Sequence, residues 1–512
     1  MDNFSAIVDF HADRTPDMVA VVDGDRELTY RELLHRVEAL AIALQDSGVG
    51  QGDIVAILLT NRVEFLETLF AVNRLGAAFL PLNFRLAPDE WRYILEHSGA
   101  QAIVSESAFA DQVDTIVDAL PDLRHRILAG AEPTATGWAS YDALVAAHVG
   151  EHVPPADVPA DHLQRLMYTS GTTSRPKGVC ISHGNTMAKN LGLIVQFGWN
   201  AEQVTAVAGP LYHVGALDMG GLTTLHVGGR LVLQRRFEAA GLIGLLDRHR
   251  VTTVWLAPAM VNSVLQCTDE LANADLGSLE LIMSGGEKMP EARLAQVLDL
   301  FPGLWFADAY GLTETVSSDT FLPCAAMHRK LGSVGKPLPH NRVRVVDDDG
   351  NDVPADALGE IVIRGPKVFG GYWRDPDATA AAFRDGWFRT GDVGRLDADG
   401  FLYVEDRKKD MIVSGGENIA TPEVERVLYE HPDVIEAAVI GHPDPRWGEV
   451  PHAFVVLRSG TTPEDAKLAE FCSDRLAKFK VPRYIDVVEV LPRTASGKVL
   501  KRDLRRALGV AP

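Results

Sequence analysis

The chain has 512 residues, 46% of them hydrophobic, with 70 acidic against 49 basic side chains and a formal charge of −21. That length exceeds one ordinary core and calls for a large domain with smaller ones beside it, while the charge excludes nucleic acid as a partner, because a phosphate backbone demands a basic face. No apolar run approaches the roughly 20 residues of a membrane helix, and an N-terminus carrying Asp2 and Asp9 lacks a basic-then-apolar leader, so the expected compartment is the cytoplasm.

Residues 1–165 alternate short apolar strands with amphipathic helices, the pattern of a mainly parallel sheet covered by helices. Thr29-Tyr-Arg-Glu32 reads as a capping box opening a helix whose Leu33, Leu34, Val37, Leu40, Ala41 and Leu44 share one face before Gly48 stops it. A strand over 54–59 follows, then a helix through Phe65, Leu66, Leu69, Phe70 and Val72, then a second unit ending at Ala102-Ile-Val104. The stretch 151–160, with three prolines, reads as a connector. Cys180, Cys267, Cys324 and Cys472 form no C-x-x-C pair and are expected as buried, reduced thiols.

The connector leads into Tyr168-Thr-Ser-Gly-Thr-Thr-Ser-Arg-Pro-Lys-Gly-Val179. Small hydroxylated residues and Gly let a backbone approach a polyanion closely, while amides, hydroxyls and one ammonium neutralise phosphate charge. It reads as a phosphate-binding loop, although not the nucleoside-triphosphatase form, because Lys177 is followed by Gly178 and not by Ser or Thr. A flexible surface linker would share the composition without leading straight back into an apolar segment.

Downstream, Pro210-Leu-Tyr-His-Val-Gly-Ala-Leu-Asp-Met219 places His213 and a lone acid, Asp218, in apolar surroundings. A buried carboxylate needs a partner, and for Asp218 three stay open: a substrate ammonium, a helix N-terminus or a neighbouring Arg, a structural partner being favoured. Val251-Thr-Thr-Val-Trp-Leu-Ala-Pro258 and Leu281-Ile-Met-Ser-Gly-Gly-Glu287 read as strands running into loops, the place where open α/β sheets put ligands. Phe306-Ala-Asp-Ala-Tyr-Gly-Leu-Thr-Glu314 combines an aromatic for a purine face with a carboxylate for a hard cation. From Gly332 short β-branched strands at 342–346, 360–363, 387–390 and 401–404 give an antiparallel subdomain carrying Arg389-Thr-Gly-Asp392. Beyond it, strands at 434–440, 453–457 and 484–490, with an amphipathic helix over about 463–476, make a compact α+β unit.

The phosphate loop closely resembles the signature of the AMP-forming adenylating enzymes, the superfamily of acyl-CoA synthetases, peptide-synthetase adenylation domains and beetle luciferases, and most of all the fatty- or aryl-acid CoA ligases. Four further segments match in order and cover nearly the whole chain, with two departures, Ser174 in the loop where a Gly is usual and Ala420 at a place often aromatic or polar. The resemblance implies an α/β fold with a large N-terminal ATP- and acyl-binding domain of helix-covered sheets over 1–408, including a small β-barrel-like subdomain from about 332. A small mobile α+β domain over 409–512 would follow, turning at a hinge near Lys409.

The same resemblance assigns roles. Thr169, Ser170, Gly171, Thr172, Thr173 and Lys177 would face the phosphates of ATP, and Gly285, Gly286 and Glu287 would flank the adenine. Asp308 would bond the adenine amino group, Tyr310, between Ala309 and Gly311, would stack on the base, Thr313 would contact the α-phosphate and Glu314 would bind Mg²⁺. Asp392 and Arg407 would hold the ribose. His213 would sit beside the acyl carboxylate, with Val214, Ala216, Leu217, Asp218, Trp255 and Met260 along the acyl pocket. Gly415, Gly416, Glu417 and Trp447 would meet coenzyme A, and Lys498, in Pro492-Arg-Thr-Ala-Ser-Gly-Lys498, would be the catalytic lysine.

The activity implied is ATP-dependent formation of an acyl-adenylate with release of pyrophosphate, then transfer to the thiol of coenzyme A. The alternative keeps the adenylation and passes the acyl group to a separate carrier protein or another nucleophile. A non-catalytic nucleotide-binding regulator is argued against by Lys177, Glu314, Asp392 and Lys498 standing together. The apolar lining points to a medium-sized hydrophobic or aromatic acid, and a homodimer stays open.

Overall fold

The computed structural model describes residues 3–133, 136–169, 176–286, 289, 291–407, 410–414, 417–462, 466–493 and 499–510. Two large sheets dominate it. The first has nine strands in the order Lys336–Pro337, Thr320–Phe321, Trp305–Tyr310, Leu281–Gly285, Thr253–Leu256, Val204–Val207, Arg230–Leu233, Val19–Asp23 and Arg26–Thr29. Its six central strands, from Trp305–Tyr310 to Val19–Asp23, run parallel through five pairings, and the pairings at the two rims are antiparallel. The second has eight strands in the order Gly371–Tyr372, Lys177–Ser182, Leu163–Thr169, Ala78–Pro81, Ile54–Leu58, Ala102–Glu106, His125–Ala129 and Trp138–Ser140.

Helices fill the space between the sheets because their apolar periodicity is continuous. Tyr30–Asp46 starts at the capping box, where Thr29 and Glu32 exchange hydrogen bonds, and buries Leu33, Val37, Leu40 and Leu44. It packs on Val63–Arg74, every residue of which is buried. One core cluster joins these helices to the inner faces of both sheets, through Val55 and Ile57 on one side and Leu231, Trp255 and Met283 on the other. Separate clusters cover the two outer faces.

The antiparallel sheet of Arg342–Val346, Gly359–Arg364, Trp387–Leu396, Phe383–Arg384 and Leu402–Arg407 packs its interior, Val345, Ile361, Ile363 and Leu402, against Tyr310. The last unit pairs Val434–Asp444 with Gly448–Leu457 and adds Ile412–Ser414, Glu417–Ile419 and Tyr484–Val487. Helices Thr421–Tyr429, Leu468–Ser473 and Lys501–Ala507 cover it. Of the helix expected over 463–476, residues 463–465 lie outside the described residues; Leu468–Ser473 is helical, and Lys467 before it is left-handed at φ 44°. The cysteines also differ from expectation, since Cys472 is buried but Cys324 is exposed and Cys180 and Cys267 are intermediate; none forms a disulfide.

The stretch after His213, expected to line the acyl pocket, is helical. Val214–Ala216, Leu217–Gly221 and Leu222–Val227 run on continuously, the middle segment wound as a π-turn.

Candidate active site

The carboxyl ends of the parallel strands Val204–Val207, Thr253–Leu256, Leu281–Gly285 and Trp305–Tyr310 form one edge, and the phosphate-loop hairpin belongs to the neighbouring sheet. Its stem is fixed in register, Thr169 opposite Lys177 and Met167 opposite Val179. The Tyr168 hydroxyl bonds His97 Nδ1 at 2.7 Å, and the Tyr93 hydroxyl donates to the carbonyl of Pro176 at 3.3 Å. The tip of that loop, Ser170, Gly171, Thr172, Thr173 and the departing Ser174, lies outside the described residues.

Beside the stem, Gly371–Tyr372 adds as an edge strand, with Tyr372 opposite Val179. The Lys177 ammonium sits 4.9 Å from the centre of the Tyr372 ring, and the Tyr372 hydroxyl donates to Glu314 Oε1 at 3.0 Å. Burial and the neighbouring Glu314 carboxylate push the Tyr372 phenol well up, so it stays a donor. Lys177 and Glu314, 137 positions apart in the chain, thus converge on one tyrosine that the sequence reading missed. Its signal was Gly370-Gly371-Tyr372, a glycine pair before an aromatic after a β-rich stretch.

At the strand edge, Gly285 faces Ala309 so closely that a Cβ would lie 2.7 Å from the Ala309 carbonyl oxygen. Gly286 follows at φ 97°, and Glu287 lies outside the described residues. Asp308 is buried and its Oδ1 accepts from the Ala309 amide at 3.1 Å. The Tyr310 hydroxyl donates to Asp392 Oδ2 at 2.7 Å, tying the strand edge to the antiparallel subdomain. Asp392 stands opposite Arg407 in the strand register, and the Arg407 side chain is not among those described. Gly311 is required, since a Cβ there would meet the Ser318 amide at 2.4 Å. Thr313 and Glu314 then lie in one 3₁₀ turn, Thr313–Thr315.

His213 caps the helical stretch: its Nδ1 accepts from the Gly215 amide at 3.1 Å, which assigns the neutral-ring proton to Nε2. The ring stacks on Trp255 at 6.0 Å between centres. Trp255 is accommodated by two glycines, because a Cβ on Gly209 or Gly215 would come within 2.6 or 2.4 Å of its ring. Val214, Ala216 and Leu217 are buried, and Met260, in helix Pro258–Leu265, packs against the same core as Trp255.

Asp218 is a correction to the pocket set. It is 0% exposed and accepts two hydrogen bonds at 2.8 Å from one nitrogen of the equally buried Arg165, with Lys189 Nζ 3.4 Å away. Of the three partners left open, the neighbouring Arg is the one present. A carboxylate so paired has no call for a substrate ammonium.

In the last unit, Trp447 is exposed, with the Arg446 guanidinium 4.8 Å from its ring and its amide bonded to Asp444 Oδ1 at 3.0 Å. Gly415, Gly416, Lys409 and Lys498 lie outside the described residues, as does the Glu417 side chain. Arg493 and Val499 pair as an antiparallel bridge on either side of the stretch containing Lys498.

Two family models match this chain: the AMP-binding enzyme over residues 8–373 and the AMP-binding enzyme C-terminal domain over 423–498. The chain belongs to the AMP-binding enzyme family. It is 40% identical to an indoleacetate–CoA ligase of Aromatoleum aromaticum, over 98% of this chain and 97% of that one. It is 39% identical to a feruloyl-CoA synthase of an Amycolatopsis species, over 97% of each. Among solved structures it is similar to an anthranilate CoA ligase in complex with anthranoyl-AMP, at TM-score 0.92 and 28% identity over 99% and 97% of the two chains. It is also similar to the o-succinylbenzoate CoA synthetase of Bacillus subtilis in complex with its acyl-adenylate, at TM-score 0.85 and 33% identity over 99% and 98%. The large domain of helix-flanked sheets and the small C-terminal domain are those of this family. Among the described residues no helix is long and apolar enough to cross a membrane.

Proposed function

We infer that the chain activates a carboxylic acid with ATP as an acyl-adenylate, releases pyrophosphate and transfers the acyl group to coenzyme A, and that the acid is a mid-sized aromatic or arylalkanoic monocarboxylate. The convergence of Lys177, Tyr372 and Glu314 carries the adenylation. One cation and one carboxylate oriented by a shared tyrosine suit a phosphate chain and its divalent counter-ion. No group of three or more metal-ligating side chains occurs among the described residues, and Mg²⁺ needs none, because it is held by one or two carboxylates together with substrate phosphates. Glu314 would hold it, and the ion would neutralise phosphate charge during attack by the carboxylate.

In such a displacement the protein positions groups and stabilises charge. Tyr310 and Asp392, already hydrogen-bonded, would take the base and the ribose, Thr313 the α-phosphate, and Lys498 the oxygen where carboxylate and phosphate meet. His213 and Trp255 would border the acyl group, and two neighbouring rings there favour an aromatic acid, in keeping with the indoleacetate, feruloyl and anthranilate chemistry in the names of similar proteins. Trp447, exposed beside Arg446, would meet the coenzyme A nucleotide as the C-terminal unit, turning near Lys409, brings the 415–417 segment to the site.

A panel of acids assayed for AMP and pyrophosphate, with coenzyme A alone, a carrier protein alone and neither, tests this. Thioester from arylacetic or cinnamic-type acids with coenzyme A alone is expected. Preference for short dicarboxylates would overturn the substrate assignment. An adenylate burst without thioester from coenzyme A would move the acceptor to a carrier.

A further inference from the structure

After Thr313–Thr315 the backbone does something unusual. Val316, Ser317 and Ser318 all adopt left-handed conformations, at φ 52°, 59° and 59°, and all three are buried. Side-chain-bearing residues disfavour that region, and β-branched Val most of all. A run of three persists only where its surroundings over-determine it.

The restraint is Lys367, 1% exposed. Its ammonium donates to the carbonyl of Thr315 at 2.5 Å, to the carbonyl of Ser317 and to Asp319 Oδ1 at 2.7 Å. An ammonium has three donors, and here three oxygens from one turn converge on them. Asp319, fully buried, accepts in turn from the Thr315 hydroxyl and from Asn341 Nδ2. The stretch bearing Lys367 grips the same turn twice more: the Phe369 amide donates to the Glu314 carbonyl at 2.8 Å, and the Tyr372 hydroxyl to the Glu314 carboxylate. Behind it, Asn185 Nδ2 donates to the carbonyls of Pro366 and Val368, so Lys367 reaches the turn from an anchored backbone.

We propose that Lys367, with its counter-ion Asp319, is a positioning residue for the metal-binding turn: it locks the left-handed run 316–318 and thereby sets where Thr313 and Glu314 stand. This rests on the assignment of Glu314 to Mg²⁺. Lys367 touches no substrate; it acts through the turn.

The test compares the parent with Lys367→Met/Asp319→Asn, a pair chosen because removing one partner alone would leave a buried charge uncompensated. Binding of Mn²⁺ in the presence of ATP is followed by electron paramagnetic resonance, and the Mg²⁺ concentration for half-maximal acid-dependent pyrophosphate release is measured beside it. Both are expected to weaken by about tenfold or more, as when a group supporting a metal ligand is lost, while thioester formation from supplied acyl-adenylate and coenzyme A is retained. A variant with unaltered Mn²⁺ affinity and Mg²⁺ dependence, whatever its thermal stability, overturns the proposal. Should the double variant not fold, Asp319→Asn alone keeps an oxygen facing Lys367; it is expected to shift both readouts in the same direction, and no shift there overturns the proposal too. Glu314→Gln run in parallel separates the two layers: if it leaves Mn²⁺ binding unchanged, the metal assignment itself fails, whereas a shift in Glu314→Gln alone refutes only the role of Lys367.

Discussion

Asp218→Asn isolates what the buried Arg165 pair does. In the parent, one Arg165 nitrogen donates to both Asp218 oxygens at 2.8 Å, a second to Gln164 Oε1 and Thr186 Oγ1, and Nε points at Met167 Sδ at 3.4 Å, with no water-exposed surface on either partner. Asparagine keeps the shape but offers an NH₂ where Arg165 also offers a donor, and removes the carboxylate that pairs with Arg165 and Lys189. Breaking a fully buried pair from one side costs about 3–5 kcal/mol, which in a domain of this size lowers the melting temperature by roughly 5 °C or more. Thermal unfolding should show that loss. The ratio of kcat/KM for an aminobenzoate over the matching benzoate should stay within about threefold of the parent, a change of under 1 kcal/mol in discrimination. A selective rise in KM for amine-bearing acids, or a stability loss under about 1 kcal/mol, would refute the structural role. Replacing Arg165 and Asp218 together by Met and Leu should recover most of the lost stability.

Gly285→Ala should raise the KM for ATP while sparing that for the acid, because its Cβ would press on the Ala309 carbonyl, rigid backbone that yields only by spreading the strand edge, at about 1–3 kcal/mol; unchanged ATP saturation would count against an adenine site there. Lys498→Ala should lose on the order of a hundredfold or more in adenylate formation yet make thioester from supplied acyl-adenylate and coenzyme A, and loss of both half-reactions together would make it a structural anchor instead. A pH effect follows from Lys189. Burial, opposed by Asp218 and aided by Arg165, brings its ammonium down to about 7 from an ordinary 10.5. Between these values the unfolded chain holds a proton that the folded chain has released, so stability should rise with pH from 7 towards 10 relative to Lys189→Met; parallel stability curves for the two proteins would refute it.

Much of the fold was legible because its signals are local. The Thr29–Glu32 capping box, the apolar face through Leu44 and the strands ending in Gly285 and Tyr310 need only a few neighbouring residues to declare themselves. The phosphate-loop stem was legible for the same reason. The helical stretch from Val214 was hidden by Gly215, Gly220 and Gly221, residues that normally argue against helix. Two of them serve packing: a Cβ on Gly215 would strike Trp255 and one on Gly220 would come within 2.7 Å of Thr205. The polar pairs were illegible because nothing local marks them. Arg165 and Asp218 are 53 positions apart, Lys367 and Asp319 48, and Tyr372 and Glu314 58, each joined only by the meeting of separate elements.

Those distant pairs have a common electrostatic logic. A chain of net charge −21 that is to hold ATP and a carboxylate needs positive charge fixed near the site and shielded from its acidic exterior. Arg165, Lys189 and Lys367 supply three buried cations, and Asp218 and Asp319 two buried anions; Lys189 feels both Arg165 and Lys367, and Lys367 feels Asp218, so the five act as one group. Arg165 takes Asp218 with two hydrogen bonds and Lys367 takes Asp319, which leaves Lys189 as the cation in excess. Its nitrogen donates to three neutral oxygens, the Asp218 carbonyl, the Asn190 amide and the Thr223 hydroxyl, with the Asp218 carboxylate farther away at 3.4 Å. The Thr223 hydroxyl donates to Asn190 Oδ1 at 2.8 Å, and by turning that proton toward a neutral amine it would keep one contact to Lys189 at the expense of that bond. The odd cation is therefore the one that burial strips of its proton near neutral pH, behind the turn and the helix that border the site.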